Sequence, residues 1–387
     1  MSQAPFESTG TRRVREIASL DLMRLAAAQL VMFYHFVFLS WAEGKDTRGI
    51  RALVGDAPRL PEHMGWSSPG WVGVQVFFVI SGFVILMSAE GKSANAFLIG
   101  RVKRILPALW FFSLLAAVVM IGTGILSPAE ASVRLARSMV LFPMGPWIDG
   151  AVWTLVVEAL FYAAIYVFIR CRMIGNMTGI AIAMTLFNIL FWGTVLAGST
   201  GLLGASGQWI GAAASSYKLQ VTLVTTNCYF VLGASLYQIF KKERIATNAM
   251  VYAINFVACL ISTYFAALHS IGVSQHGQNP LAAAALWGGL VIVLTACVLL
   301  RLGAGERFRR FAAIAGLLTY PLYLTNQITG GFLLGLAYRL GLPPMVTVIG
   351  VALLCTVLAG LFAILLERRM QDAVGRLLEK VMRPALA

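Results

Sequence analysis

The sequence predicts an all-α integral membrane protein, a polytopic bundle of about ten transmembrane helices with its N and C termini cytoplasmic. Three observations carry that prediction. Hydrophobic residues make up 59% of the 387-residue chain and charged residues only 12%, whereas soluble globular domains carry about 25% charged residues. Apolar runs of about 20 residues, the length that crosses the hydrocarbon layer as a helix, recur along the whole chain. Lysine and arginine alternate between rich and poor segments in step with those runs.

The expected spans are 17–40, 70–89, 105–122, 152–169, 178–197, 219–240, 249–268, 281–300, 314–337 and 345–366. They form one transmembrane domain over 17–366, preceded by a polar, basic segment 1–16 and followed by a tail 367–387. No cleavable signal peptide is apparent, and the first run, which already contains Asp21, Arg24 and His35, reads as a retained helix. The ninth run is the weakest, because Pro321 and Gly330–Gly331 interrupt it. Stretch 131–142 is short and carries Arg134 and Arg137, which suits an interfacial helix, and the tail reads as an amphipathic helix on the inner surface. No internal repeat or heptad pattern is visible.

Charge sets the orientation. With the N terminus inside, 21 of the 30 lysines and arginines fall on inner segments and 8 on outer ones, with Arg24 inside the first helix. Excess Lys and Arg in cytoplasmic loops is the expected bias. It accounts for the net charge of +14 without nucleic acid, which would need those charges gathered on one soluble face. Cys171, Cys228, Cys259, Cys297 and Cys355 stand apart, with neither metal-ligand spacing nor a disulfide framework; no metal is expected.

Ionisable groups among lipid-spanning helices are costly, and each is a functional candidate. The first helix carries Asp21, Arg24 and His35, and the fourth carries Glu158. The other histidines, His63, His269 and His276, fall in or beside outer loops. From Arg24 to His35 an ideal helix turns about 20° beyond three full turns and rises roughly 16 Å, so both share one stripe. Asp21, three residues before Arg24, can pair with it. Glu158 and His35 should lie at similar depth, where a carboxylate beside an imidazole would orient a general base or simply lock two helices together. Arg101, Lys103 and Arg104, placed at the end of an inner loop, form a cationic patch suited to phosphates or to ordinary anchoring. Ser81–Gly82 gives the second helix a small surface, for close packing or a serine nucleophile.

The stretches that carry these residues resemble the membrane acyltransferase-3 family. LDLMRLAAAQLVMFYHF is similar to the family's opening helix with its arginine and histidine, here Arg24 and His35. GVQVFFVISGFVI resembles its second-helix motif, with Gln75 where aspartate is common. FLIGRVKRILPALW resembles the Arg-x-x-Arg segment at Arg101 and Arg104. VWTLVVEALFY resembles a motif that places Trp153, Glu158, Phe161 and Tyr162. LLTYPLYLTNQI, with Tyr320 and Tyr323, is similar to a late segment, but Thr319 replaces a serine and Asn326 stands where histidine is frequent. The fused hydrolase-like domain of some relatives is not seen in this sequence.

The resemblance implies a multi-pass protein of the bacterial cytoplasmic (inner) membrane. Its expected activity moves an acyl group, acetyl above all, from cytoplasmic acyl-CoA (acetyl-CoA) to a hydroxyl of a surface glycan acceptor, an exopolysaccharide or lipopolysaccharide precursor. On that reading Arg24, Arg101 and Arg104 hold the donor, His35 is the general base and Glu158 orients it. Asp21, Ser81, Trp153, Tyr162, Tyr320, Tyr323 and Asn326 support the substrates or the fold. Direct transfer and an acyl-histidine intermediate both remain open. The rival reading is a transporter or flippase of a lipid-linked sugar, compatible with the interrupted ninth helix and the charged stripe of the first.

Overall fold

The computed structural model describes residues 18–44, 47–56, 58, 60, 62–202, 216–269, 279–302 and 305–382. The segment 1–16, most of the glycine-rich loop 198–217, His276 and the last five residues of the tail lie outside them. Among the described residues there is no β-strand, and nine helices are long and apolar enough to cross a membrane.

The order is α1 (Ala18–Ala42), a short α2 (Ile50–Val54), α3 (Ser67–Ala89, opening as a 3₁₀ segment) and α4 (Ala94–Gly122). The short α5 (Pro128–Met139) precedes α6 (Val152–Arg170), α7 (Met177–Ser199), α8 (Leu223–Phe240), α9 (Ile245–His269) and α10 (Pro280–Leu299). Then come α11 (Glu306–Thr325), α12 (Ile328–Arg339), α13 (Pro344–Phe362) and α14 (Arg368–Met382), the last two joined by a π segment Ala363–Glu367.

Three expectations change. α4 starts at Ala94, with Ser93 Oγ accepting the Ala96 N–H at its N terminus, so Arg101 and Arg104 sit on a helix, not at the end of a loop. The polar first turns were hidden from a hydropathy reading because they project past the apolar span. The tenth span does not stop at residue 366 but runs on into the amphipathic tail helix. The ninth span is not one helix: α11 ends at Thr325, and Asn326–Gln327 separate it from α12. Pro321 is accommodated inside α11. α12 alone has 12 residues, about 18 Å of rise, too short for a hydrocarbon core of about 30 Å, and the expected ninth span is not among the nine described helices of membrane length.

Close packing of α3 on α8 makes the centre of the bundle. A Cβ on Gly82 would strike the carbonyl oxygen of Phe230, and one on Gly233 would strike that of Val79. The expected small surface at Ser81–Gly82 is thus a site of backbone contact, the means by which helices associate without a hydrophobic drive. The most apolar stretch of α3 is 78% buried inside the bundle, against 28% for α7. α3 is therefore a core helix and α7 presents most of its surface outward, Leu186 and Leu190 among the exposed side chains. α7 is held to α9 by buried amides: Asn188 Nδ2 donates to Asn255 Oδ1 (2.8 Å), and Asn255 Nδ2 donates to Thr185 Oγ1 (2.7 Å).

Small residues seat the split helix as well. Gly330 lies against Phe36, Gly331 against Ile50, and Gly335 against the Leu53 carbonyl. α2, from the first long loop, thus packs on α12 and pins the break beside the C-terminal half of α1. At the other end of the bundle Lys103 covers Gly375 of α14, and Lys241 Nζ pairs with Glu90 Oε1 at 2.5 Å.

Gly82→Val should lower the thermal stability of the detergent-solubilised protein by about 1–3 kcal/mol, the usual cost of overpacking. Gly100→Ala, with no atom within 4 Å of the added carbon, should leave it unchanged. A thermal-unfolding series measures both, and equal stability of the two variants would refute the α3–α8 contact.

Candidate functional site

Two cavities follow the bundle axis, and α1, α3, α6 and α11 contribute to both. The first, of about 80 Å³, is lined by Arg24, Ser81, Arg104, Glu158, Tyr162 and Tyr320, with Phe77, Thr154, Thr319 and Tyr323 among its walls. The second, of about 480 Å³, is lined by His35, Glu43, Trp71, Gln75, Trp153 and Trp192, with Tyr229, Tyr323 and Gln327 among its walls. The order along every helix agrees: Arg24 then His35 on α1, Ser81 then Gln75 and Trp71 on α3, Glu158 then Trp153 on α6, and Tyr320 then Gln327 on α11 and the break after it. They are called below the arginine chamber and the histidine chamber.

In the arginine chamber Asp21 pairs with Arg24 as the i, i+3 spacing predicts, Oδ1 lying 3.4 Å from Nη1. Asp21 packs over Gly316 of α11. The single long contact leaves most of the guanidinium fork for a ligand. Arg104 joins Arg24 in the lining, so two cations face one small space. Arg101 does not line it; its guanidinium lies over the rings of Phe97 (5.5 Å) and Tyr162 (5.6 Å). Of the two arginines in the Arg-x-x-Arg segment, one borders the chamber and the other braces a wall.

Glu158 belongs to this chamber. Its Oε1 accepts from Ser81 Oγ (3.1 Å) and from Tyr162 Oη (2.6 Å), which ties α3 to α6. The expected pairing of Glu158 with His35 is therefore corrected. Equal distance from helix ends does not bring two side chains together when α1 and α6 face different stretches of the cavity. Ser81 is engaged with a carboxylate, an arrangement that holds the helices and balances the two arginines.

His35 is the second residue of a π-helical segment, Tyr34–Leu39, within α1; such wide turns recur at functional sites. Its Nδ1 lies 2.7 Å from Asn326 Oδ1, and both residues are buried. Asn326 ends α11 at the helix break. With the amide oxygen facing Nδ1 as placed, the contact is that of the tautomer with the ring proton on Nδ1 and the lone pair on Nε2. Asn326 thus does for the imidazole what Glu158 was expected to do, and the departure from histidine at that position becomes a defined contact.

The loop before α6 holds the break in place, and the sequence reading missed it. Asp149 is buried, accepts the Ala151 N–H at 2.7 Å and accepts the Ile328 N–H at the start of α12. It caps a free helix N terminus across the break. Gln327 lies against Gly150. Burial pushes the Asp149 carboxyl up to about 6, and burial raises Glu43, whose Oε2 accepts the Arg51 N–H at 3.0 Å. Trp71 and Trp192, also unsingled before, line the histidine chamber together with Trp153. Only the adjacency of Asp149 to the Trp153 motif signalled its role.

The fold and the site together define a helical membrane protein with a paired imidazole at one internal chamber and a pair of arginines at another. Residues 17–367 match the acyltransferase-3 family, described as an acyltransferase domain, and the chain belongs to that family. It is also similar to the Bacillus subtilis (strain 168) protein named "Putative peptidoglycan O-acetyltransferase YrhL", 31% identical over 146 residues. That stretch covers 35% of this chain and 18% of the relative, so the chain matches less than a fifth of the relative's length. No solved structure matches.

The raised Asp149 carboxyl has a definite sign. A carboxyl that titrates higher when folded costs stability as pH rises through the interval between its unfolded and folded values. From about pH 4 to pH 6 the stability difference should therefore move toward Asp149→Asn, by about 2 kcal/mol. Thermal unfolding of both proteins across that range measures it; parallel curves would show that Asp149 does not titrate as a buried group.

Proposed function

We propose that the protein is a membrane O-acyltransferase that moves an acetyl group from acetyl-CoA to a sugar hydroxyl of a surface-glycan precursor. The hydrogen bond between His35 and Asn326, at the wall of a large chamber in a chain of this family, carries the reading. A hydroxyl becomes a useful nucleophile when a positioned base takes its proton in the transition state, and Asn326 on Nδ1 leaves Nε2 for that task.

The donor reading rests on Arg24 and Arg104. Paired guanidinium groups suit phosphate and thioester oxygens, and the arginine end also carries Lys92, Lys103 and Lys241, the pattern of a cytoplasmic face. Both the start of α1 and the tail helix α14 lie at that end. The thioester would extend along the cavity toward His35. Attack by the acceptor oxygen forms the new C–O bond and a tetrahedral oxyanion; the C–S bond then breaks, and the proton held on His35 passes to the leaving thiolate. An acyl-histidine route would use the same nitrogen as nucleophile.

The acceptor reading rests on the histidine chamber. Among the described residues Trp71 Nε1, Gln75 Oε1 and Trp192 Nε1 are buried without a hydrogen-bond partner, and all three residues line it. Buried polar atoms left unpaired call for a partner, and indole faces interleaved with amide and hydroxyl groups suit the apolar and hydroxyl faces of a sugar ring. A lipid-linked sugar transporter is the second reading, favoured by the helix break at Asn326–Gln327. It would consume no thioester.

In membrane vesicles supplied with acetyl-CoA and glycan precursor, the wild type should release free thiol and esterify the glycan. His35→Ala should lower the rate by about 10²–10⁴, Asn326→Ala should reduce kcat more than it raises the donor KM, and Arg24→Ala should chiefly raise that KM. Near-normal transfer by His35→Ala, or glycan movement without thiol release, would overturn the proposal.

A further inference from the structure

The two chambers share two lining residues, Val74 of α3 and Tyr323 of α11. These two side chains border both spaces. Tyr323 is buried and held from two sides. Its Oη shares a 3.0 Å hydrogen bond with Thr154 Oγ1, which itself donates to the Ala151 carbonyl at 2.9 Å. Phe77 meets its ring edge-on, the centroids 5.7 Å apart. Tyr320, one turn away in the arginine chamber, donates to the Ile105 carbonyl at 3.0 Å, which fixes the same face of α11 to α4. The ring at the neck is therefore a braced partition. Val74, buried opposite, is a branched aliphatic side chain with little freedom.

We infer that Tyr323 and Val74 form a neck that selects the acyl group by its cross-section and keeps water in the histidine chamber from reaching a thioester whose acyl end has not yet passed it. This rests on the donor reading above, in which the acyl end leads from the arginine chamber toward His35. A linear acyl group presents the same width whatever its length, whereas a group branched beside the carbonyl is wider by a methyl. A neck set by an aromatic ring against valine discriminates on that width. It makes Tyr323 a specificity-determining residue, one that touches the passing acyl group and takes no proton.

Tyr323→Ala removes the ring and Tyr323→Phe keeps it. With acetyl-CoA and isobutyryl-CoA in competition, Tyr323→Ala should raise the isobutyryl-to-acetyl transfer ratio by about tenfold or more. It should also increase thiol release without acceptor, the thioester then being hydrolysed to carboxylic acid and thiol. Tyr323→Phe should keep the wild-type ratio. Val74→Ala gives the same shift in smaller measure and carries the test if Tyr323→Ala does not fold. An unchanged ratio and unchanged hydrolysis in a folded Tyr323→Ala protein would overturn the inference.

A second measurement needs no acyl donor, so it separates this inference from the donor reading. In a protein whose five native cysteines are replaced by alanine, Ser81→Cys places a thiol in the arginine chamber. A small cationic methanethiosulfonate reagent should label it from one side of sealed vesicles only, and from both sides once Tyr323→Ala is added. Labelling from both sides with Tyr323 in place would refute the partition, whatever the activity assays show.

Discussion

In a bundle surrounded by hydrocarbon, an ionisable side chain finds its partners on neighbouring helices or it is not tolerated, and here that constraint converges on α1. Arg24 is balanced by Asp21 within the helix, with Glu158 across the chamber wall, and His35 is met by Asn326 from the helix break. Asn326 reaches α1 only because α11 lies along it. Gly316 makes that approach possible at one end, since Asp21 occupies the space a side chain would take. Gly330 does so at the other, under the ring of Phe36. The polar contacts and the small residues are one design: the glycines set the distance at which the hydrogen bonds close.

The helix break follows from the same constraint. Breaking a helix inside a membrane leaves carbonyls and N–H groups that only protein can satisfy. Part of that need at the start of α12 is met by the Asp149 carboxylate, brought in by the loop that also starts α6. The return is geometric freedom. An asparagine at the end of a helix can direct its amide across to α1, which a residue in mid-helix, pointing back along its own axis, does less readily.

Much of this was legible in the sequence. Apolar runs located most of the spans, and the i, i+3 spacing of Asp21 and Arg24 anticipated their pairing. Periodicity also put Arg24 and His35 on one stripe, and each borders a chamber of the same path. Partners across helices were not legible. Counting residues from the helix ends put Glu158 and His35 at one depth, whereas the fold sets Glu158 in the chamber of Arg24 and Trp153 in that of His35. The rotation of α6 and the placement of α11 decide who meets whom, and they are set by backbone contacts such as Gly82 on Phe230 that no local pattern reports. Asp149 was hidden for a related reason: a loop carboxylate looks solvated until the chain folds over it. Asn326 was singled out only as a departure, since its meaning depends on a residue 291 positions away.

The arrangement also bears on why four helices supply both chambers. If the two chambers stood on separate helices, a shift of one against the other would change the distance between them. Here Arg24 and His35 share α1, Ser81 and Gln75 share α3, Glu158 and Trp153 share α6, and Tyr320 and Asn326 share α11. Each helix acts as a ruler of fixed rise, so the separation of the two ends is set by covalent geometry and repeated four times. Only the rotation of each ruler is left to packing, and the α3–α8 backbone contact, the Glu158 bridge between α3 and α6 and the Asp149 strap each restrain one of them. The two chambers are then held at a constant spacing in a fluid bilayer, which under the proposed function is what lowering the entropy cost of a transfer between them requires.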